Sequence, residues 1–218
     1  AKAYAGSALG VKNVVTGDFG SAVGYDNTAS NYLANAIGTS NVASGAYANA
    51  YGVYNEATAS YASAFGYGNK VGGEHAIASG YNNNIAGNFA SAFGTENTVS
   101  NIRSAAVGSN NTVSGEISNA FGYNNIASGS KSNVFGTGNT VSGSSSTAVG
   151  TANEVAAENS TAIGNNNTIS AGAENSAALG NNISISLKDS VALGNNSTAT
   201  AINSVTGNSS YTKWAGVS

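Results

Sequence analysis

The sequence predicts an all-β fold, a parallel β-solenoid whose coils have the length of one sequence repeat. One observation is a glycine that returns at every fourteenth position, twelve times without a break. Another is that residue type is kept at fixed offsets from that glycine. A fixed period marks one structural unit stacked many times on itself. The unbroken series is Gly10, Gly24, Gly38, Gly52, Gly66, Gly80, Gly94, Gly108, Gly122, Gly136, Gly150 and Gly164, and after one step that is longer by two it continues with Gly180 and Gly194.

Composition narrows the class of protein. The 218 residues include no Pro, Cys or Met, only 8% are charged, 41% are hydrophobic, and the net charge is −3. A disordered chain would carry more charge and fewer apolar residues, so order must come from the repetition. An acidic chain with scattered basic residues argues against nucleic acid as a partner. Because there is no initiator Met and no run of eighteen apolar residues, we expect a segment of a longer protein that does not itself enter a membrane.

Each repeat is predicted to form two short strands joined by tight turns. Half a repeat is too short for a helix that folds alone. Glycine and Asn at fixed offsets are turn residues, because they accept positive φ at low cost. A chain that winds back once in every repeat lays each strand beside its equivalent one coil away, in parallel. The two extra residues between Gly164 and Gly180 are expected to enlarge one loop.

The residues before the glycine predict an inner and an outer face. Two places before it stands Ala in every copy except Val134, and one place before it stands a larger apolar residue in every copy except Ser79. Neighbouring residues of a strand point to opposite faces, so the small column fills the coil and the larger column points away from it. A row of exposed apolar side chains marks an interface, which predicts a side-by-side homo-oligomer. Candidate interface residues are Val23, Ile37, Phe65, Phe93, Val107, Phe121, Phe135, Val149 and Ile163.

An Asn stands three places after each of the first twelve glycines, from Asn13 to Asn167. Identical Asn side chains in register can bond along the stack as an amide ladder, which we favour over a ligand role. No catalytic, metal or cofactor site is predicted. His75 is the only His, beside Glu74, and has no positioned partner in the pattern. Acidic residues are too few for a calcium repeat.

Tyrosines suggest where a ligand would bind. Eight of the eleven lie between positions 25 and 81, and Tyr is enriched in recognition surfaces because it is large, stiff and amphipathic. One group lies five places before the glycine, where rings could equally cap a junction between chains. Another lies just after the glycine, in what we take to be an exposed turn. The candidate binding residues are Tyr25, Tyr47, Tyr61, Tyr67, Tyr81 and Phe89.

Three segments carry a resemblance to a known family. Asn159–Gly164 reads NSTAIG, Asn175–Gly180 reads NSAALG and Asp189–Gly194 reads DSVALG. They resemble the YadA-like head repeat of trimeric autotransporter adhesins, and the likeness extends over about residues 5–200. The resemblance implies a left-handed parallel β-roll and a side-by-side homotrimer. It also implies display on the bacterial cell surface, with anchoring in the outer membrane through a C-terminal stalk and anchor missing from this sequence.

On this basis residues 1–200 form the head of tandem repeats, and residues 201–218 lead to an insertion or neck that is absent here. Tyr211–Gly216 is similar to a Tyr-x-Phe-Ala-Gly signature of such insertions, with Trp214 in place of Phe. The predicted function is non-enzymatic attachment to a host receptor, such as an immunoglobulin-like one, or to a matrix protein. Alternatives are a structural spacer, a self-associating head, and an ice-binding solenoid with Thr rows. An enzyme on a β-helix is disfavoured because no acid, base and metal constellation is present.

Overall fold

The computed structural model describes residues 3–200, and every regular element in them is a β-strand. The chain divides into two compact units, Ala1–Asn110 and Asn111–Ser218. Within each unit, long strands of mostly five residues alternate with strands of two residues. This confirms the prediction of two short strands in each repeat. The C-terminal segment 201–218, with its Tyr211–Gly216 signature, lies outside the described residues.

The first unit contains eight long and seven short strands in its described residues. The long strands are β1 (Ser7–Val11), β3 (Ser21–Tyr25), β5 (Asn35–Thr39), β7 (Asn49–Val53), β9 (Ser63–Tyr67), β11 (Ile77–Tyr81), β13 (Ser91–Thr95) and β15 (Ala105–Ser109). The short strands are β2 (Val14–Val15), β4 (Thr28–Ala29), β6 (Val42–Ala43), β8 (Glu56–Ala57), β10 (Lys70–Val71), β12 (Asn84–Ile85) and β14 (Thr98–Val99).

The second unit repeats the pattern up to residue 200. Its long strands are β17 (Asn119–Tyr123), β19 (Asn133–Thr137), β21 (Thr147–Thr151), β23 (Thr161–Asn165), β25 (Ala177–Asn181) and β27 (Val191–Leu193). Its short strands are β16 (Thr112–Val113), β18 (Ile126–Ala127), β20 (Thr140–Val141), β22 (Glu154–Val155), β24 (Thr168–Ile169), β26 (Ser184–Ile185) and β28 (Thr198–Ala199).

Strands of each unit pair in parallel with their equivalents one coil away, as predicted. In the first unit Ala22 pairs with Ala36 and Gly24 with Gly38, a shift of one period. In the second unit Gly164 pairs with Gly180, so the register survives the longer step between these two glycines. The extra residues lie in the loop between β24 and β25, where Gly172 has a φ of 89°. The prediction of one enlarged loop is confirmed.

Both corners of a coil use a residue in the left-handed region. One corner follows the long strand, as at Asp26 with a φ of 57°, and the other precedes the next long strand, as at Tyr47 with a φ of 60°. The corners are also bonded from coil to coil. The backbone N–H of Asp26 donates to the carbonyl of Val11 at 2.9 Å, and that of Tyr47 to the carbonyl of Tyr32 at 2.8 Å. Side chains at equivalent corners of successive coils are therefore held one above the other.

Small apolar side chains fill the interior of the coils. The Ala column two places before the glycine is buried from Ala22 onward, and the aliphatic column five places after it is buried as well. A third buried column, four places before the glycine, is Ala in the first unit up to Ala90 and Ser in the second. There Ser118 Oγ donates to the carbonyl of Gly129 at 2.7 Å. Because the side chains of these inward columns are small, the two strands of a coil can approach each other closely.

The Asn column forms the predicted amide ladder inside both units. The amide of Asn69 donates to Asn55 Oδ1 at 3.0 Å and to the carbonyls of Phe65 and Gly80 at 2.9 and 2.8 Å. Its own Oδ1 accepts from the backbone and side-chain nitrogens of Asn83 at 3.0 and 2.9 Å. Every polar atom of this fully buried side chain is thus bonded. In the second unit the ladder ends where Ile183 replaces Asn and donates its backbone N–H to Asn167 Oδ1.

The hydrogen bond from the ladder Asn to a glycine carbonyl also explains the repeating glycine. Gly136 has a φ of 123°, a conformation that other residues rarely adopt, and its carbonyl accepts from the amide of Asn125 at 2.8 Å. A Cβ on Gly136 would overlap the carbonyl oxygen of Gly150 in the next coil. No other residue fits this position, which explains why the period is marked by glycine.

We expect Gly136→Ala to lower the free energy of unfolding by roughly 2–4 kcal/mol, because it adds backbone strain to a steric overlap. Gly138→Ala is the matched control. Gly138 also has a positive φ, but nothing lies within 4 Å of its Cβ position, and Ala152 holds the equivalent place one coil later. The control should cost about 1 kcal/mol. Denaturant unfolding followed by circular dichroism compares the two, and equal losses would contradict the steric account.

We expect Asn69→Ala to cost about 3 kcal/mol, because it leaves buried carbonyls and a buried N–H without their partners. Asn84→Ala, on an exposed position of the next coil, should change stability by no more than about 0.5 kcal/mol. The same unfolding titrations measure both. A small loss at Asn69 would mean that the ladder is not a main source of stability.

Candidate functional site

The larger apolar column lies on the outer face of the long strands and is half-buried or exposed in the single chain. In the first unit, neighbouring strands pair Val23 with Ile37, and Phe93 with Val107. Side chains such as Ile37 and Phe93 remain exposed there. We call this column the apolar stripe. In the first unit it comprises Leu9, Val23, Ile37, Tyr51, Phe65, Phe93 and Val107, with Ser79 as the one interruption, and in the second unit Phe121, Phe135, Val149, Ile163, Leu179 and Leu193.

Some rings of the apolar stripe contact each other, in a tilted pair and in a stacked pair. Tyr51 and Phe65 have ring centroids 5.4 Å apart, and Phe121 and Phe135 lie 5.2 Å apart with nearly parallel planes. The Tyr51 hydroxyl donates to Asn49 Oδ1 at 3.2 Å. Partial burial against these neighbours raises the pKa of the Tyr51 phenol above its usual value, because desolvation disfavours the charged form. The stripe therefore presents mainly uncharged surface.

A separate row of aromatic rings runs along one corner of the first unit. Successive ring centroids lie 4.5–5.8 Å apart. Contacts at the start of the row are edge-to-face, whereas those from Tyr47 to Phe89 are parallel within 6°. All seven side chains are exposed or half-buried. This aromatic row consists of Tyr4, Phe19, Tyr32, Tyr47, Tyr61, His75 and Phe89.

The corner geometry explains the aromatic row. Tyr47, Tyr61, His75 and Phe89 occupy the left-handed position before the long strand, with φ between 56° and 60°. This conformation costs free energy for residues other than Gly and Asn. Favourable stacking of neighbouring rings offsets part of that cost. At the equivalent positions of the second unit stand Ile117, Lys131, Ser145, Asn159, Asn175 and Asp189, so the row has no counterpart there.

Three of the candidate residues belong to the aromatic row, namely Tyr47, Tyr61 and Phe89. The structure also includes rings that the column analysis missed. Leu33 interrupts the column, and Tyr32 beside it supplies the ring instead, 5.4 Å from Tyr47. A sequence signal existed, because the corner holds two adjacent residues and an aromatic at either one can continue the row. Tyr4 joins the row in the same way.

The other candidates, Tyr25, Tyr67 and Tyr81, do not form one patch. Tyr67 stacks on Tyr81 with centroids 5.3 Å apart, and Tyr54 meets Tyr67 edge-on at 5.7 Å. Tyr25 is separated from them, because Thr39 and Val53 occupy the intervening coils of the same register. The Lys12 ammonium instead lies 5.3 Å from the centre of the Tyr25 ring and donates to its hydroxyl at 3.1 Å.

The expectation that these tyrosines lie in a turn was wrong. Tyr25, Tyr67, Tyr81 and Tyr123 are the last residues of β3, β9, β11 and β17. The positive φ of the preceding glycine does not end the strand. Pairing with the next coil continues for one more residue, and the chain turns only at the left-handed residue after it. The side chains remain exposed, so the prediction of accessible rings at this position holds.

Charged groups contribute little to these surfaces. Lys70 and Glu56 form an ion pair at 3.4 Å that is largely exposed, and such pairs contribute little to stability. Within residues 3–200 no group of three or more His, Cys, Asp or Glu side chains comes together. The same residues include no helix long and apolar enough to span a bilayer. The Thr column at the start of the short strands is broken by Val42, Glu56, Lys70 and Glu154, so it offers no continuous Thr face.

The repeat has a counterpart among known protein families. A family model described as YadA head domain repeat, in two copies, matches residues 57–83, 142–167 and 188–205. Over these three segments the chain is similar to the YadA head repeat. Matches fall in both units, and the buried Asn and Ala columns and the repeating glycine that they contain recur in the unmatched coils. No curated protein matches the chain. The YadA head repeat indicates an adhesin-type function for a surface-exposed autotransporter, and heads of this family are typically non-enzymatic.

Proposed function

We propose that this YadA-type head attaches a bacterium to a host cell-surface receptor, such as an immunoglobulin-like one, or to an extracellular matrix protein, without enzymatic chemistry. The observation that carries the proposal is the aromatic row of the first unit. Seven rings lie on one exposed corner, and the head family indicates adhesion. Neither nucleic acid nor a membrane is a partner in this proposal.

The physical chemistry of the aromatic row suits protein recognition. Each ring sits on a corner whose backbone is bonded to the neighbouring coils, so little conformational freedom remains to be lost on binding. Tyr rings offer apolar edges together with a hydroxyl that can bond a polar partner. Tyr61 is 47% exposed and Phe89 52%, which leaves ample ring surface for a ligand.

The apolar stripe supports a second part of the proposal, a homotrimer wound side by side. A continuous outward row of Val, Ile and Phe would be an unusually large exposed apolar patch on a monomer. Three chains that share the stripe would remove it from water, and the head family favours this state. Each receptor site would then occur three times, which raises avidity without new contacts. Anchoring in the outer membrane would be supplied by a stalk and anchor C-terminal to this segment.

The trimer can be tested by replacing stripe residues with Ser. The chain itself has Ser once at this position, at Ser79. We expect the double variant Ile37→Ser, Phe93→Ser to dissociate in sedimentation equilibrium while its circular dichroism remains that of a β-protein. Val42→Ser, an outward substitution off the stripe, serves as the control and should keep the trimer. A wild-type chain that sediments as a monomer at micromolar concentration would contradict the proposal.

Binding can be tested on an array of matrix proteins (collagen, fibronectin and laminin) and immunoglobulin-like receptors. The variant combines Tyr47→Asn, Tyr61→Asn and Phe89→Asn, because Asn159 holds the same corner position in the second unit and tolerates its positive φ. We expect saturable binding by the wild type and its loss in the variant. Since the corner backbone is preserved, the variant should remain folded.

Tyr123→Asn is the matched control, since Tyr123 is 53% exposed but belongs to the second unit and not to the aromatic row. It should bind as the wild type does. No binding to any array member, together with aggregation of bacteria that display the head, would replace the proposal with a self-associating head. No binding and no aggregation would point to a spacer.

A further inference from the structure

We propose that the Tyr47–Tyr61 pair is a site of oxidative modification, at which the two rings couple to form an intrachain dityrosine bridge between adjacent coils. The oxidant is hydrogen peroxide used by a haem peroxidase. The coupling requires only the stacked pair and does not depend on whether the aromatic row binds a host protein.

Geometry singles out this pair. The ring centroids of Tyr47 and Tyr61 lie 4.7 Å apart with planes inclined by 3°. Among tyrosine pairs of residues 3–200, Tyr67–Tyr81 is wider at 5.3 Å and 15°, and Tyr32–Tyr47 and Tyr54–Tyr67 meet edge-on. Of these tyrosine pairs, Tyr47 and Tyr61 are therefore the closest and the most nearly parallel, and the ring carbons that must join belong to these two facing rings.

The backbone holds the pair in place. Both residues sit at left-handed corners, with φ of 60° and 59°. Their backbone N–H groups donate to the carbonyls of Tyr32 and Ala46, each at 2.8 Å. The two radicals would therefore form on side chains that cannot diffuse apart. Coupling within the chain is favoured by this proximity over coupling between separate molecules.

Composition directs oxidants to tyrosine. The chain contains no Cys and no Met, the sulfur side chains that peroxide attacks most readily. Its single Trp, Trp214, lies outside the described residues. Tyr47 and Tyr61 are 38% and 47% exposed, so a peroxidase product can reach both rings.

The coupling of the two rings is an oxidation by hydrogen peroxide. The peroxidase removes one electron and one proton from each phenol to give two phenoxyl radicals. These couple through the ring carbons ortho to oxygen, and each ring then transfers its remaining hydrogen at the coupled carbon to oxygen, which restores both phenols. One C–C bond forms and the O–O bond of peroxide breaks. Two tyrosines and one hydrogen peroxide thus give one dityrosine and two waters.

The test treats the full chain with horseradish peroxidase and hydrogen peroxide, then digests it with trypsin and a Glu-specific protease. Cleavage after Lys12, Glu56 and Lys70 puts Tyr47 in peptide 13–56 and Tyr61 in peptide 57–70. We expect a joined pair of these peptides that has lost two hydrogens, with dityrosine fluorescence, in protein that migrates as a single chain on a denaturing gel. The oxidised chain should also unfold at a higher temperature, because the bridge closes a loop across one coil.

Two conservative variants decide between neighbouring sites, because Tyr54 and Tyr67 lie in the same two peptides. Tyr61→Phe keeps the stacked ring but cannot form the bridge, so the joined peptides should be lost. Tyr67→Phe should keep them. The opposite pattern would assign the bridge to the edge-on pair and overturn the proposal. Covalent dimers or trimers on the gel, or no dityrosine at all, would overturn it as well.

Discussion

A buried amide that bonds in both directions along the stack is the interaction on which the rest of this structure depends. An Asn inside the ladder, such as Asn69, accepts from the Asn of the following coil, donates to the Asn of the preceding coil, and donates to a glycine carbonyl of the following coil. That carbonyl is available because the glycine takes a positive φ closed to other residues. The Gly and Asn columns therefore act together, and they hold each coil in register with the next, even across the longer step from Gly164 to Gly180. Because the buried Gly–Asn contacts hold the coils together, residues of the outward columns can vary without loss of the fold.

The fixed interior also explains how two different surfaces arise from one repeat. Alternation along the long strand sends small residues inward and larger apolar residues outward, which produces the apolar stripe. At the corner before the strand, coil-to-coil hydrogen bonds align the side chains of successive coils into the aromatic row. One surface suits contacts between identical chains, which share the same stripe. The other surface, the aromatic row, is confined to the first unit.

Much of this was accessible from sequence. The inward Ala, the Asn ladder, the parallel pairing and the outward column follow from offsets to a repeated glycine, because a solenoid repeats its contacts with its residues. The partners of a side chain at a corner do not follow so directly. Tyr32 and Tyr47 come from different columns yet contact each other, because the corner aligns two adjacent positions. Tyr25 and Tyr67 share a column yet lie apart, because the coils between them hold Thr39 and Val53. The strand that continues past Gly24 was missed since glycine with positive φ usually signals a turn.

We propose that the apolar stripe joins chains while the aromatic row stays open to a ligand. Hydroxyl-radical footprinting of the assembled head, resolved by mass spectrometry, measures this directly. We expect Ile37 and Phe93 to be protected from oxidation and Tyr61 and Phe89 to react as exposed side chains. If the aromatic row were protected together with the stripe, this proposal would be contradicted. The rings would then pack between chains and would not form a binding surface.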